Sequence, residues 1–251
     1  MLEVKNVTVS FGGLIAVKDM TMNVKKGIIH SLIGPNGAGK TTLFNVITRV
    51  IQPVKGSVSY EENSLMDLRP EQIIYKGISR TFQNLQLFSG MNVYDNILSG
   101  YIHNYDKNIF YLFSKNRSHF ESEARERILE ISELLQIKNR LSSYPASLSY
   151  GILKRVEIAR AIVSNPKLLL FDEPAAGLNH NETSEIRDIM RLLKNQGKTI
   201  LLVEHDMNLV MKISDRITVM SFGEKIAEGT PEEVGNNEEV IKVYLGESEN
   251  A

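Results

Sequence analysis

Gly34-Pro35-Asn36-Gly37-Ala38-Gly39-Lys40-Thr41 is a complete phosphate-binding loop. Its glycines let backbone N–H groups crowd around a polyphosphate, and the following helix directs its positive end at the same anion. Lys40 can reach the β- and γ-phosphates, while the Thr41 hydroxyl can ligate Mg²⁺. Leu168-Leu169-Leu170-Phe171-Asp172-Glu173 is an apolar run ending in two carboxylates. Asp172 is placed to hold Mg²⁺, directly or through water, and Glu173 fits a general base that polarises an attacking water. Solvated loop acids are the competing reading. At Leu148-Ser149-Tyr150-Gly151, Ser149 is a natural N-cap and Gly151 permits close backbone approach. Standing alone, this segment reads equally as an ordinary helix start.

His205 follows Leu201-Leu202-Val203-Glu204, where a strand meets its loop, and an imidazole there can hydrogen-bond a γ-phosphate. His30, His103, His119 and His180 read as packing or surface residues.

Elements that would position these groups are legible from periodicity. Residues 2–9 and 19–24 alternate apolar and polar, as antiparallel strands do. Residues 28–33 form a strand feeding the loop, and Thr41 to Thr48 the helix after it, which is the context the loop requires. Further strands are expected at 56–60 and 78–82, with a short helix from Pro70 to Tyr75 between them. From Val93 to Asn165 the pattern is helical. Ala124, Ile128, Ile131 and Leu135 share one face, with Glu121–Arg125 and Glu123–Arg127 at i,i+4 on the solvated side. Ile152, Val156, Ala159 and Val163 repeat the apolar face, and Pro166 ends that helix. Strands return at 168–172, 199–203, 216–220 and 225–228, with helices from Asn181 to Lys194 and Met207 to Ile213.

Composition limits the alternatives. At 251 residues the chain can build one nucleotide-binding domain but not two. Its 29 basic and 30 acidic side chains leave a net charge of −1, which gives no electrostatic reason to expect nucleic acid. Without cysteine, neither disulfides nor thiolate metal sites can form. No apolar run approaches the roughly 20 residues that span a bilayer, and Met1-Leu2-Glu3-Val4-Lys5 lacks a secretory apolar region. The expectation is a cytoplasmic chain whose membrane contact comes only through a partner.

Loop, serine turn and strand carboxylates, in this order, resemble the ATP-binding subunits of ABC transporters, and among them those of branched-chain amino acid importers. Phe11-Gly12-Gly13-Leu14 with Ala16-Val17, Arg80-Thr81-Phe82-Gln83-Asn84, Val156-Glu157-Ile158-Ala159-Arg160, Asp172 to Asn179, Glu204 to Met207 and Val243-Tyr244-Leu245-Gly246 carry the resemblance over nearly the whole chain. Residues 101 to 120 carry none of it. The resemblance implies an α/β P-loop core at 1–90 and 165–230, with an antiparallel β subdomain and an inserted helical subdomain at 91–164. These form one domain, 1–235, followed by a short C-terminal extension at 236–251. It also implies an ATPase that uses ATP and Mg²⁺ and works with transmembrane permease subunits on the inner face of the cell membrane; the alternatives are the ATPase of a urea or amide importer or of a lipopolysaccharide exporter, or a non-transport ABC ATPase. A second ATP-binding subunit, identical or paralogous, would pair with it head to tail.

By the same resemblance Glu173, His205 and Gln83 are catalytic, and Thr41, Gln83 and Asp172 serve the metal. Phe11, Val17, Gly34, Pro35, Asn36, Gly37, Ala38, Gly39, Lys40, Thr41, Thr42, Ser149 and Gly151 contact nucleotide, with Phe11 stacking on adenine and Val17 supporting the ring. Ser149 and Gly151 would meet the γ-phosphate held by the other subunit, and Asn179 would lie in the loop linking the two sites. Two positions depart from the common signature: Tyr150 stands for its first glycine and Ile152 for its glutamine, and the second puts the hydrolysis rate in question. Phe88, Met91 and Tyr94 either pack the helical part or line a groove for a permease helix.

Overall fold

A computed structural model describes residues 1–102 and 115–248. His103 and the acidic end at 249–251 lie outside the described residues.

Leu168 to Asp172 and Thr199 to Val203 are apolar at almost every position because both faces are covered. They form β7 (Leu168–Asp172) and β8 (Thr199–Val203), central strands of a six-stranded sheet of order β10-β9-β3-β8-β7-β6. The other members are β3 (Ile29–Ile33), β6 (Ile78–Arg80), β9 (Arg216–Ser221) and β10 (Glu224–Gly229). All neighbouring pairs are parallel except β9 with β10. Period-two alternation sorts the side chains between two cores. Leu169, Phe171, Ile200 and Leu202 pack under the helices α2 (Val93–Ser99), α3 (Lys115–Leu134), α4 (Tyr150–Ile162) and α5 (His180–Asn195). Leu168, Leu170, Leu201 and Val203 point the other way, onto α1 (Lys40–Ile47) and a second sheet.

That second sheet is antiparallel, of order β2-β1-β4-β5, built from β1 (Leu2–Phe11), β2 (Leu14–Val24), β4 (Lys55–Tyr60) and β5 (Asn63–Ser64). It caps α1 with Val4, Met20, Met22 and Val58. A third cluster joins Ile33, Val210, Ile217, Val219, Val234 and Val240 beneath α6 (Met207–Ile213), α7 (Pro231–Gly235) and α8 (Glu238–Ser248).

Several boundaries differ from expectation. β2 begins at Leu14 rather than at residue 19, because Leu14 and Ile15 are both exposed on a hairpin tip and show no alternation to read. β5 was not expected at all. The segment from Pro70 forms two 3₁₀ turns, Pro70–Gln72 and Ile74–Lys76, instead of one helix. β6 stops at Arg80, after which Thr81 donates to Leu170 and the chain leaves the sheet. Ala124, Ile128 and Ile131 of α3 and Leu135 just after it are all buried, as read, but the ion pair formed by Arg127 is with Glu130.

Candidate functional site

Parallel pairing brings the C-terminal ends of three strands together. Leu32 of β3 lies opposite Val203 of β8, and Val203 lies opposite Asp172 of β7. Whatever follows these residues therefore converges at one sheet edge, where doubly wound sheets place their ligands.

The phosphate loop follows β3. Gly34 sits where a Cβ would come 2.0 Å from the Met220 carbonyl oxygen, and Gly39, at φ 98°, where one would meet the Ala16 carbonyl at 2.4 Å. Both backbones are wedged between neighbouring strands, so no side chain fits. Lys40 folds back over the loop, its Nζ donating to Gly34 O at 2.6 Å and Pro35 O at 2.8 Å. Asn36, Gly37 and Thr41 are exposed, Pro35, Gly39 and Thr42 half-buried, and Ala38 buried. Val17 is buried with its Cγ2 close to Gly39, beneath the loop. Phe11 is 49% exposed at the end of β1, so its ring is not part of the core.

Asp172 is buried at the end of β7. Its Oδ2 accepts from Arg80 Nη2 at 2.8 Å, while its buried Oδ1 has no hydrogen-bond partner among the described residues. Glu173 follows in the left-handed region at φ 49°, a conformation that costs a non-glycine residue free energy and persists only where its surroundings impose it. Its N–H donates to Val203 O. Gln83 Nε2 donates to Glu173 Oε2 at 3.0 Å, and His205 Nδ1 stands 3.7 Å from the same oxygen. Gln83 and His205 are both exposed, so the cluster opens to solvent.

Buried Glu204 braces this cluster from behind. Its Oε1 accepts from the Ala175 N–H at 2.8 Å and its Oε2 from the His205 N–H at 3.1 Å, tying the loop after β7 to the end of β8. Burial pushes its carboxyl above the usual range, against the pull of those backbone donors. A buried acid between two site-bearing loops has no periodic signature. Its signals in the sequence are its adjacency to His205 and its place in the resembling segment Glu204 to Met207.

Ser149 takes the N-cap position of α4 with extended backbone, φ −67° and ψ 157°, yet makes no side-chain cap hydrogen bond. Other caps in this chain do: Asn179 accepts from Asn181 and Glu182, and Asp206 from Asn208 and Leu209. Gly151 is buried against Glu182, whose Oε1 a Cβ would meet at 2.3 Å. The Tyr150 ring lies over Gly177, in the loop leading to Asn179. Phe11 and Ser149 are thus presented from elements other than the Lys40–Asp172–Glu173 group.

Such an edge, with its loop, buried aspartate and strained glutamate, is that of a P-loop nucleoside triphosphatase. A family model described as ABC transporter matches residues 17–176, and one described as branched-chain amino acid ATP-binding cassette transporter matches residues 224–250. The chain belongs to the ABC transporter family. Among curated relatives, the high-affinity branched-chain amino acid transport ATP-binding protein LivG of Salmonella typhimurium is 44% identical over 99% of this chain and 98% of its own. BraF of Pseudomonas aeruginosa, described in the same words, is 40% identical over 99% and 98%. Among solved structures, the ADP conformation of an ATP-binding cassette of an ABC transporter superposes with a TM-score of 0.86 at 33% identity, covering 98% of each chain. A dimeric bacterial ABC transporter cassette superposes at 0.78 with 28% identity, covering 92% of this chain and 99% of that one. The fold is the ABC ATPase cassette, and the chain is an ATP hydrolase of that type. Among the described residues no helix is long and apolar enough to cross a membrane.

Proposed function

We propose that this subunit hydrolyses MgATP to drive an importer of branched-chain amino acids. Two copies, or one copy and a paralogue, would close head to tail around two nucleotides. The observation carrying the hydrolytic part is the meeting of Gln83 and His205 on one oxygen of the strained Glu173. Full-length similarity to LivG and BraF supports the substrate class.

Loop N–H groups and the start of α1 would bind the phosphates, with Lys40 leaving its loop carbonyls for the β/γ oxygens. Phe11, exposed at its hairpin, would stack on the base. The orphaned, buried Oδ1 of Asp172 suits a hard cation, so Asp172, Thr41 and Gln83 would hold Mg²⁺. When bound, the ion neutralises charge on the phosphates. Glu173 accepts the proton of the attacking water, Gln83 orients that water, and His205 hydrogen-bonds the γ-phosphoryl oxygens. Ser149 and Gly151 would reach the partner's γ-phosphate, which gives a ligand to the Ser149 hydroxyl that makes no cap hydrogen bond. Closing two such subunits would move the permease, and the exposed Phe88 and Met91 are suited to receive one of its helices. Tyr94 packs partly into the helical core and is less available. Residues 91–164 would serve as the helical subdomain of a single domain at the inner membrane face.

The test is to purify the tagged chain with whatever membrane protein accompanies it, reconstitute the complex in vesicles, and measure ATP-driven uptake. Leucine, isoleucine or valine uptake that stops with Glu173→Gln is the expected result. Uptake of urea or an amide instead would reject the substrate class, and ATP hydrolysis with no permease recovered would reject the importer.

A further inference from the structure

Three charged side chains, Lys154, Glu157 and Arg160, lie three residues apart along α4 and therefore share one face. Lys154 and Glu157 are 1% and 2% exposed, and their Nζ and Oε2 stand 3.3 Å apart. A buried pair of this kind is weak evidence for stability, since desolvation offsets most of the attraction. What distinguishes it is where its remaining hydrogen-bonding atoms go. Glu157 Oε1 accepts from the Phe82 N–H at 3.2 Å. Lys154 Nζ donates to the Gln83 carbonyl at 3.3 Å. Arg160 donates to the Gln86 carbonyl, and its guanidinium lies over the Phe88 ring, 5.9 Å from the centroid. Asn96 of α2 is fully buried and ties Phe88 N–H and O to Met91 O and Asn92 O.

We infer that Lys154, Glu157 and Arg160 are positioning residues that clamp the backbone of segment 82–88 to α4, so that Gln83 moves with the helix whose other end carries Ser149. The contacts are all to main chain or to ring faces, so they fix the path of the segment while leaving the Gln83 side chain to meet Glu173. Phe82 and Phe88, both exposed, are held by the same grip and would move with it. The inference rests on the proposed reading that Ser149 meets the partner's nucleotide. On that reading, engagement of Ser149 is passed along a rigid helix to Gln83 and to the exposed aromatics of the same subunit.

The experiment uses the full chain with its co-purified permease. In Lys154→Met/Glu157→Leu both buried charges are replaced by apolar groups of similar volume, which keeps the fold while releasing Phe82 and Gln83. Expected is a kcat lower by about ten- to a hundredfold with the KM for ATP within about twofold of the wild type, the split produced by a misplaced group in the transition state. Amides of residues 82–86 should exchange faster with solvent in the same variant. Lys154→Arg, which keeps charge and donor, should restore kcat to within about threefold. Should the double variant not fold, Arg160→Ala removes the Gln86 grip from a partly exposed site and should lower kcat at constant KM. Unchanged kcat in either folded variant overturns the clamp. Absence of ATP hydrolysis in the wild type would instead reject the parent reading.

Discussion

Arg80 holds one oxygen of Asp172 at 2.8 Å and leaves the other buried and unbonded among the described residues. The guanidinium is itself fixed, with Nη1 donating to Asn45 Oδ1 at 2.7 Å and Thr48 Oγ1 at 3.2 Å, between the Phe44 and Phe82 rings. Five donors in one plane let Arg80 reach α1 and β7 at once, and lysine cannot do the same. Arg80→Met should therefore lower stability by about 3–5 kcal/mol, because it strands a buried carboxylate. Arg80→Lys should keep the fold but raise the Mg²⁺ concentration needed for half-maximal activity. Thermal unfolding and a Mg²⁺ titration measure the two effects, and a wild-type titration curve in the lysine variant would reject the orienting role.

Glu173→Gln retains the shape and the contact with Gln83 but cannot take a proton. ATP affinity should stay within about twofold while kcat falls by about 10²- to 10⁴-fold, the range general bases supply. An ATP-bound dimer should accumulate on gel filtration. Turnover near the wild-type rate would remove Glu173 from the mechanism.

Ser149 separates capping from ligand binding. An N-cap serine replaced by alanine ordinarily costs about 1 kcal/mol, through loss of the hydrogen bond to the first turn. Ser149 makes no such bond, so Ser149→Ala should leave the melting temperature unchanged and still lower kcat by about tenfold or more. A lowered melting temperature with normal turnover would make Ser149 a cap and nothing else.

The strongest elements of the site were legible because their physics is local. Loop, strand and helix around Lys40 follow from glycine spacing and one apolar run, and Asp172 and Glu173 from the end of a strand buried on both faces. Arg80, Glu204 and Glu157 were quoted within motifs but given no role, and Lys154 was not singled out at all, since their partners include groups far away in sequence. Nothing near Arg80 in the chain announces Asn45 or Asp172, and nothing near Glu157 announces Phe82. Val17 was paired with Phe11 by resemblance, and its place beneath Gly39 depends on how β2 pleats against β1, which no spacing announces. Edge features such as β5 and the 3₁₀ turns after Pro70 depend on tertiary contact and leave no period to read.

His30 gives the fold a pH dependence separate from the site. It is fully buried on β3, its Nε2 2.8 Å from Thr218 Oγ1, and a proton on Nδ1 would find no acceptor among the described residues. Burial lowers its pKa from 6.5 to about 4, with Glu228 opposing the shift and Arg216 and Lys225 adding to it. The unfolded chain thus binds a proton that the folded chain refuses. Its contribution is fully present above pH 6.5 and is lost as pH falls toward 4, by about 3 kcal/mol in all. Glu157 and Glu204, whose carboxyls burial pushes up, act in the opposite sense as pH falls, so the total curve alone does not isolate His30. His30→Gln keeps a polar group near Thr218 but removes the titration. Denaturant unfolding at pH 7 and pH 4.5 should show the variant losing about 2–3 kcal/mol less than the wild type over that interval. Parallel losses in the two proteins would mean that His30 charges in the fold as readily as it does in water.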